Sequence, residues 1–147
     1  MKLVIGCDHA AYKLKETIKQ FLIDGGHEVE DLGAFDESSV DYPQIGLSVA
    51  GQVSQGIYKQ GILLCGTGLG MSMVANRLPH VRAALCNDLF SAILSRQHND
   101  ANILVLGGRV IGDVLALEIV KTWLATPFEG GRHQRRLDQF DILAPND

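Results

Sequence analysis

The segment Gly61-Ile62-Leu63-Leu64-Cys65-Gly66-Thr67-Gly68-Leu69-Gly70-Met71-Ser72 begins as an apolar run of strand length and continues with a glycine at every second position. A short run with no polar face reads as a strand covered on both sides of a sheet. Glycines directly after it, with a helical stretch from about Met71 to Arg77 behind them, mark a strand-to-helix turn. A buried strand that feeds a helix is the repeating unit of a parallel sheet.

The same unit recurs on either side. Lys2–Gly6 reads as a first buried strand, and residues 10–25 as a helix. Leu14, Ile18, Phe21 and Leu22 share its apolar face; Lys13, Lys15, Glu16 and Lys19 fall largely outside that face, and Gly25-Gly26 ends it. Residues 28–32 form a second strand, and 43–56 a helix with proline in its first turn. Residues 82–86 are a fourth strand, after which Asn87 or Asp88 caps a helix to about His98. Residues 102–106 are a fifth strand, ended by Gly107-Gly108. Residues 113–125 form a helix, and a basic segment opens a last one to about Asp141. This alternation predicts one α/β domain over residues 1–147: a three-layer α/β/α, Rossmann-like or flavodoxin-like fold with a five-stranded parallel sheet. The segment from about 128 forms a basic helical arm. An order of 2-1-3-4-5 is expected, with its reversal between strands 1 and 3. Ligands bind at such a reversal, beyond the carboxyl ends of the strands. Cys7-Asp8-His9 and Cys65-Gly66-Thr67-Gly68 would meet there.

Composition narrows the function. The chain has 147 residues, 46% hydrophobic and 20% charged, so an ordinary core is within reach without metal or disulfides. No apolar run reaches the 18 or so residues of a membrane span. The N-terminus enters a strand directly, unlike a signal peptide. Cys7, Cys65 and Cys86 are an odd number without Cys-x-x-Cys spacing, which fits free thiols in a reducing cytoplasm. A net charge of −4 excludes a general nucleic-acid binder. Against that background Arg132, His133, Arg135 and Arg136 crowd one segment, as a discrete anionic ligand would require. The 16 glycines exceed the usual share and gather where strands hand over to helices.

The loop after strand 3 aims successive N–H groups at one point, at a helix N-terminus. Such a nest binds an anion or an oxyanion, and a thiol at its edge is favoured as thiolate. It is not a P-loop, which needs a lysine, nor a G-x-G-x-x-G turn. A phosphatase loop would need arginine where Met71 stands. No His/Cys/Asp grouping has metal spacing. Asp8 and His9 follow a central strand, where polar residues are seldom core. His98 ends a helix that runs back toward the amino ends of the strands, so it should lie at the opposite edge from Cys65. If both serve one site, a second subunit must supply His98.

Several segments, taken together, resemble the ribose-5-phosphate isomerase B family, which also includes galactose- and allose-6-phosphate isomerases. They are Gly6-Cys7-Asp8-His9-Ala10, Asp41-Tyr42-Pro43, Cys65 to Ser72, Ala75-Asn76, Arg82-Ala83, Leu94 to Asp100, Gly108-Arg109-Val110 and Glu129 to His133. The match runs in order along nearly the whole chain.

The resemblance implies an aldose–ketose isomerase that interconverts ribose 5-phosphate and ribulose 5-phosphate through a cis-enediolate, without metal or cofactor. It assigns Cys65 as the base, Thr67 as its assistant, and the backbone of Gly66, Gly68, Leu69 and Gly70 to the enediolate. His98, with Asp8, would open the sugar ring. Asn99 would hold sugar hydroxyls, and His9, Arg109, Arg132 and Arg136 the phosphate. Relatives that lack the cysteine carry a glutamate at the place of Met71, so this chain resembles the cysteine type. It would work as a homodimer or homotetramer with shared sites. Hexose 6-phosphates and tetrose phosphates remain alternative substrates. From the residues alone, two other classes stay open: a phosphate-ligand-binding module without turnover, and a phosphoryl carrier with Cys65 as acceptor. Cys7 and Cys86 are expected to pack, and His133 and Arg135 receive no role.

Overall fold

A computed structural model describes residues 1–141; residues 142–147, the end of the expected domain, lie outside the described residues. Five strands form one parallel sheet: β1 (Lys2–Cys7), β2 (Glu28–Asp31), β3 (Gly61–Cys65), β4 (Ala83–Leu85) and β5 (Ile103–Gly107). Six helices accompany them: α1 (Tyr12–Asp24), α2 (Tyr42–Ser54), α3 (Leu69–Ala75), α4 (Leu89–Gln97), α5 (Asp113–Ala125) and α6 (Arg132–Asp141). A 3-10 turn, His9–Ala11, joins β1 to α1. Among the described residues, no helix is long and apolar enough to cross a membrane.

The sheet order is β2-β1-β3-β5-β4, not the expected 2-1-3-4-5. Burial explains the difference. Every residue of β5 is buried, so it belongs inside the sheet, whereas the three residues of β4 are only half-buried and suit an edge. Right-handed crossovers then settle the layers. The connections that move toward β4 carry α2 and α3, which pack together on one face. Those that move the other way carry α1 and α4; these pack with α5 on the opposite face.

A consequence follows for β3. Its helix leaves on one face, while the helices after its neighbours β1 and β5 leave on the other. The loop after β3 is therefore flanked by the loops after β1 and β5, and the reversal expected on one side of β3 exists on both. Backbone hydrogen bonds tie these loops together: Asp8 N–H donates to Leu64 O (3.1 Å), Gly108 N–H to Cys65 O (2.8 Å) and Arg109 N–H to Gly66 O (2.9 Å).

Lys15 departs from the expected amphipathic pattern. It belongs to the buried side of α1, with no exposed side-chain surface. Its ammonium donates to both Asp31 carboxylate oxygens (2.8 and 2.7 Å) and to Ala34 O (2.7 Å), and Glu16 lies 3.0 Å away. A charge is buried only where partners replace its water, and these replace it. The knot joins α1 to the end of β2 and to the loop beside Cys7.

Candidate active site

The loops after β1, β3 and β5 gather one group of residues. Cys65 is 5% exposed, and the Gly68 N–H donates to its Sγ at 3.1 Å. That bond requires the chain to turn back sharply. Gly68 does so at φ +82°, where a side chain would strain the backbone and its Cβ would strike Leu85. At Gly70 a Cβ would stand 2.6 Å from the Tyr42 ring, so glycine lets α2 close over the loop. Thr67 Oγ1 accepts from Leu69 N–H at 3.2 Å, which leaves its own O–H free to donate.

Asp8 is nearly buried and caps the 3-10 turn by accepting from Ala10 N–H at 3.0 Å. Val40 N–H donates to His9 Nδ1 at 3.2 Å, so the neutral ring carries its proton on Nε2. The exposed Arg109 side chain crosses Gly66, its Nη1 3.5 Å from where a Cβ would be. Asp8, His9, Cys65 to Gly70 and Arg109 thus share one end of the sheet.

Cys7 and Cys86 lie deeper in the core than Cys65. Burial raises the Cys7 thiol to about 11, against weaker opposing help from Lys15, and burial also raises Cys86 to about 11. Both are inert packing thiols. Cys7 pairs with Leu64, one residue short of Cys65.

His98, Asn99, Arg132 and Arg136 form a second group at the opposite end. His98 caps the C-terminus of α4, just before β5 begins, whereas Cys65 pairs with Gly107 where β5 ends. The five residues of β5 span roughly 13 Å at 3.3 Å per step, so one chain does not bring the two groups together. Arg96 holds the turn from α4 into β5 by donating to Asp100 (2.8 Å), Ala101 O (2.6 Å) and Thr126 O (3.3 Å). Asn99 is exposed and borders a groove of about 510 Å³ that follows the connection from α3 into β4, from Asn76 to Ala84, and reaches Phe140. That groove touches the second group and none of the Cys65 loop.

Arg132, Arg135 and Arg136 are exposed on α6, but His133 turns inward with Leu137, four residues later. The i, i+4 spacing of His133 and Leu137 was the available signal that this histidine is not part of the basic face. Its ring stacks on His98, with centroids 4.2 Å apart and planes 11° from parallel. Its Nε2 lies 3.4 Å from Glu129 Oε2. Ligand atoms of His98, Glu129 and His133 lie within 4.8 Å of one another, a donor set that no local spacing announces.

Residues 3–140 match the family model described as Ribose/Galactose Isomerase. Ribose-5-phosphate isomerase B of Escherichia coli is 46% identical over 142 residues, covering 97% of this chain and 95% of that protein. D-erythrulose-4-phosphate isomerase of Pectobacterium atrosepticum is 43% identical over 133 residues, covering 89% and 87%. The structure of Clostridium thermocellum ribose-5-phosphate isomerase B superposes with a TM-score of 0.96 at 51% identity, covering 97% of each chain. Ribose-5-phosphate isomerase B of Mycoplasma genitalium, solved with bound ribulose 5-phosphate, gives 0.93 at 40%, covering 97% and 95%. With this fold, and with similarity along nearly its whole length, the chain belongs to the ribose/galactose isomerase family of aldose–ketose isomerases that act on phosphorylated sugars.

Proposed function

We propose that this isomerase interconverts ribose 5-phosphate and ribulose 5-phosphate through a cis-enediolate, in sites that two copies of the chain complete together. One observation carries the reading: the Gly68 N–H directed at Cys65 Sγ is the hydrogen bond a thiolate accepts. Cys65 takes the proton from C2 of the open sugar and returns it to C1. The remaining N–H groups of the loop, those of Gly66, Thr67 and Gly70, face the enediolate oxygens, where preorganised donors act most strongly. Gly68 and Leu69 serve indirectly, since their N–H groups hold Cys65 and Thr67. The Thr67 hydroxyl assists at the same oxygens. The proton only shifts within one substrate, so the residues suffice without a cofactor.

Ring opening falls to the partner's His98, with Asp8 of the first chain beside it. The partner's Asn99 holds sugar hydroxyls. The phosphate lies between His9 and Arg109 of one chain and the partner's Arg132 and the partner's Arg136. Exposed Leu47, Leu69 and Met73 on α2 and α3 support a covered surface next to the Cys65 loop. Three free thiols, all buried, suit a reducing compartment such as the cytoplasm. The resemblance to the Pectobacterium atrosepticum enzyme makes a tetrose phosphate the second substrate reading.

Comparison of kcat/KM on ribose 5-phosphate, allose 6-phosphate, galactose 6-phosphate and erythrose 4-phosphate decides the substrate. The pentose is expected to be turned over best. Cys65→Ala should lower kcat by about 10²–10⁴-fold on every substrate. His98→Ala should impair cyclic sugars and spare the acyclic tetrose phosphate. A loss of less than about tenfold in Cys65→Ala excludes the proposed base.

A further inference from the structure

His133 has no part in the chemistry above, yet it is 4% exposed on a helix whose other basic residues face solvent. Its face lies flat against His98, and Glu129 Oε2 lies 3.4 Å from its buried Nε2 without forming a hydrogen bond. The Glu129 N–H in turn donates to Gln97 O at 3.1 Å, which ties this corner to the last turn of α4. The nitrogen lone pairs of two stacked rings lie in separate, nearly parallel planes. They do not converge on one ion, so the arrangement is a support and not a metal site.

We propose that His133 is a positioning residue for ring opening: its stacked ring holds the His98 imidazole in place and couples it to α6, the helix that carries the phosphate-binding Arg132 and Arg136. The idea rests on the ring-opening role assigned to His98 above. The coupling is built into the sequence, because His133 lies between the two arginines on α6. A phosphate that fixes α6 also fixes the His98 ring. Burial, then the charges of His98 and Arg132, hold the His133 imidazole below its ordinary value, with Glu129 opposing and Arg136 adding a smaller push in the same direction. A neutral ring can stay stacked while His98 gains a proton; two imidazolium ions would repel.

Two variants separate the ring from its polarity. His133→Gln keeps similar volume and a polar end but removes the flat face. His133→Phe keeps the face and removes the ring nitrogens. Steady-state kinetics on ribose 5-phosphate and erythrose 4-phosphate would be measured for both, beside His98→Ala, after thermal unfolding shows that each variant is folded. His133→Gln should lower kcat on ribose 5-phosphate about 10- to 100-fold, move KM less than about threefold and leave erythrose 4-phosphate unchanged. His133→Phe should restore kcat on ribose 5-phosphate to within about threefold of the unsubstituted enzyme. Equal behaviour of the two variants, or a loss shared by both substrates, overturns the proposal. If His98→Ala itself spares no acyclic substrate, the ring-opening reading fails first, and the His133 result is judged against that.

Discussion

Lys15 illustrates how much one residue can hide from a pattern. Its place in the helix marks it as surface, but its ammonium is enclosed by Asp31, Ala34 O and Glu16, with the Tyr12 and Phe35 rings about it at 5.4 and 5.3 Å. Burial alone would push the Asp31 carboxyl up; hydrogen bonds from Lys15 and Lys19 outweigh it and hold the group below the usual carboxylate range. A depressed carboxylate stabilises the fold at pH values above its unfolded value. That contribution fades as pH falls below about 4, where the unfolded chain binds the proton first. Removing either partner is unequal. Asp31→Asn leaves the fully buried ammonium short of its carboxylate and should cost about 3–5 kcal/mol. Lys15→Met should cost less, because Lys19 still reaches Asp31 at 2.7 Å. Urea unfolding of both variants at pH 7 checks the order; a larger loss for Lys15→Met would contradict it. Hydrophobic periodicity cannot show such a site, because it scores a lysine by its type and not by the acceptors the fold brings to it.

At the scale of elements, local pattern was a good guide where one strand or helix decides its own fate. The runs 61–65, 113–125 and 132–141 stand where the sequence places them. The order of β4 and β5 is a contest between two strands, and no local motif states it. The apolar run Ile103–Gly107 against the short Ala83–Leu85 held the answer as a difference in burial. Helix α6 shows the same limit. Its basic composition suits the proposed phosphate contact, but His133 turns inward and the ring it stacks on, His98, is 35 residues away in the chain. This burial has a pH signature. His133 is held below its ordinary value when folded, so below about pH 6.5 the unfolded chain binds the extra proton and stability falls. Replacement of His133 by phenylalanine should flatten the dependence of Tm on pH between about 5 and 7 relative to the unsubstituted protein. A dependence that stays as steep would place its origin elsewhere.

Over the whole molecule, the Cys65 group and the His98 group stand at opposite ends of one sheet. The direction of α4 makes this separation legible in the sequence, whereas the flanking of the Cys65 loop by two neighbours is not, since it depends on the strand order. The separation makes the proposed pairing testable by mixing. Cys65→Ala and His98→Ala homodimers should each be inactive on ribose 5-phosphate. Unfolded together and refolded, they should recover about a quarter of normal activity, because half the dimers are mixed and each of those rebuilds one intact site. No recovery, with mixed dimers shown to form, would exclude a shared site. The same two-ended layout has a genetic reading. A copy that carries both substitutions spoils both sites of any normal copy it pairs with, so beside an equal amount of the normal chain it would leave about a quarter of full activity, whereas a single substitution spoils one site per mixed dimer and would leave about half.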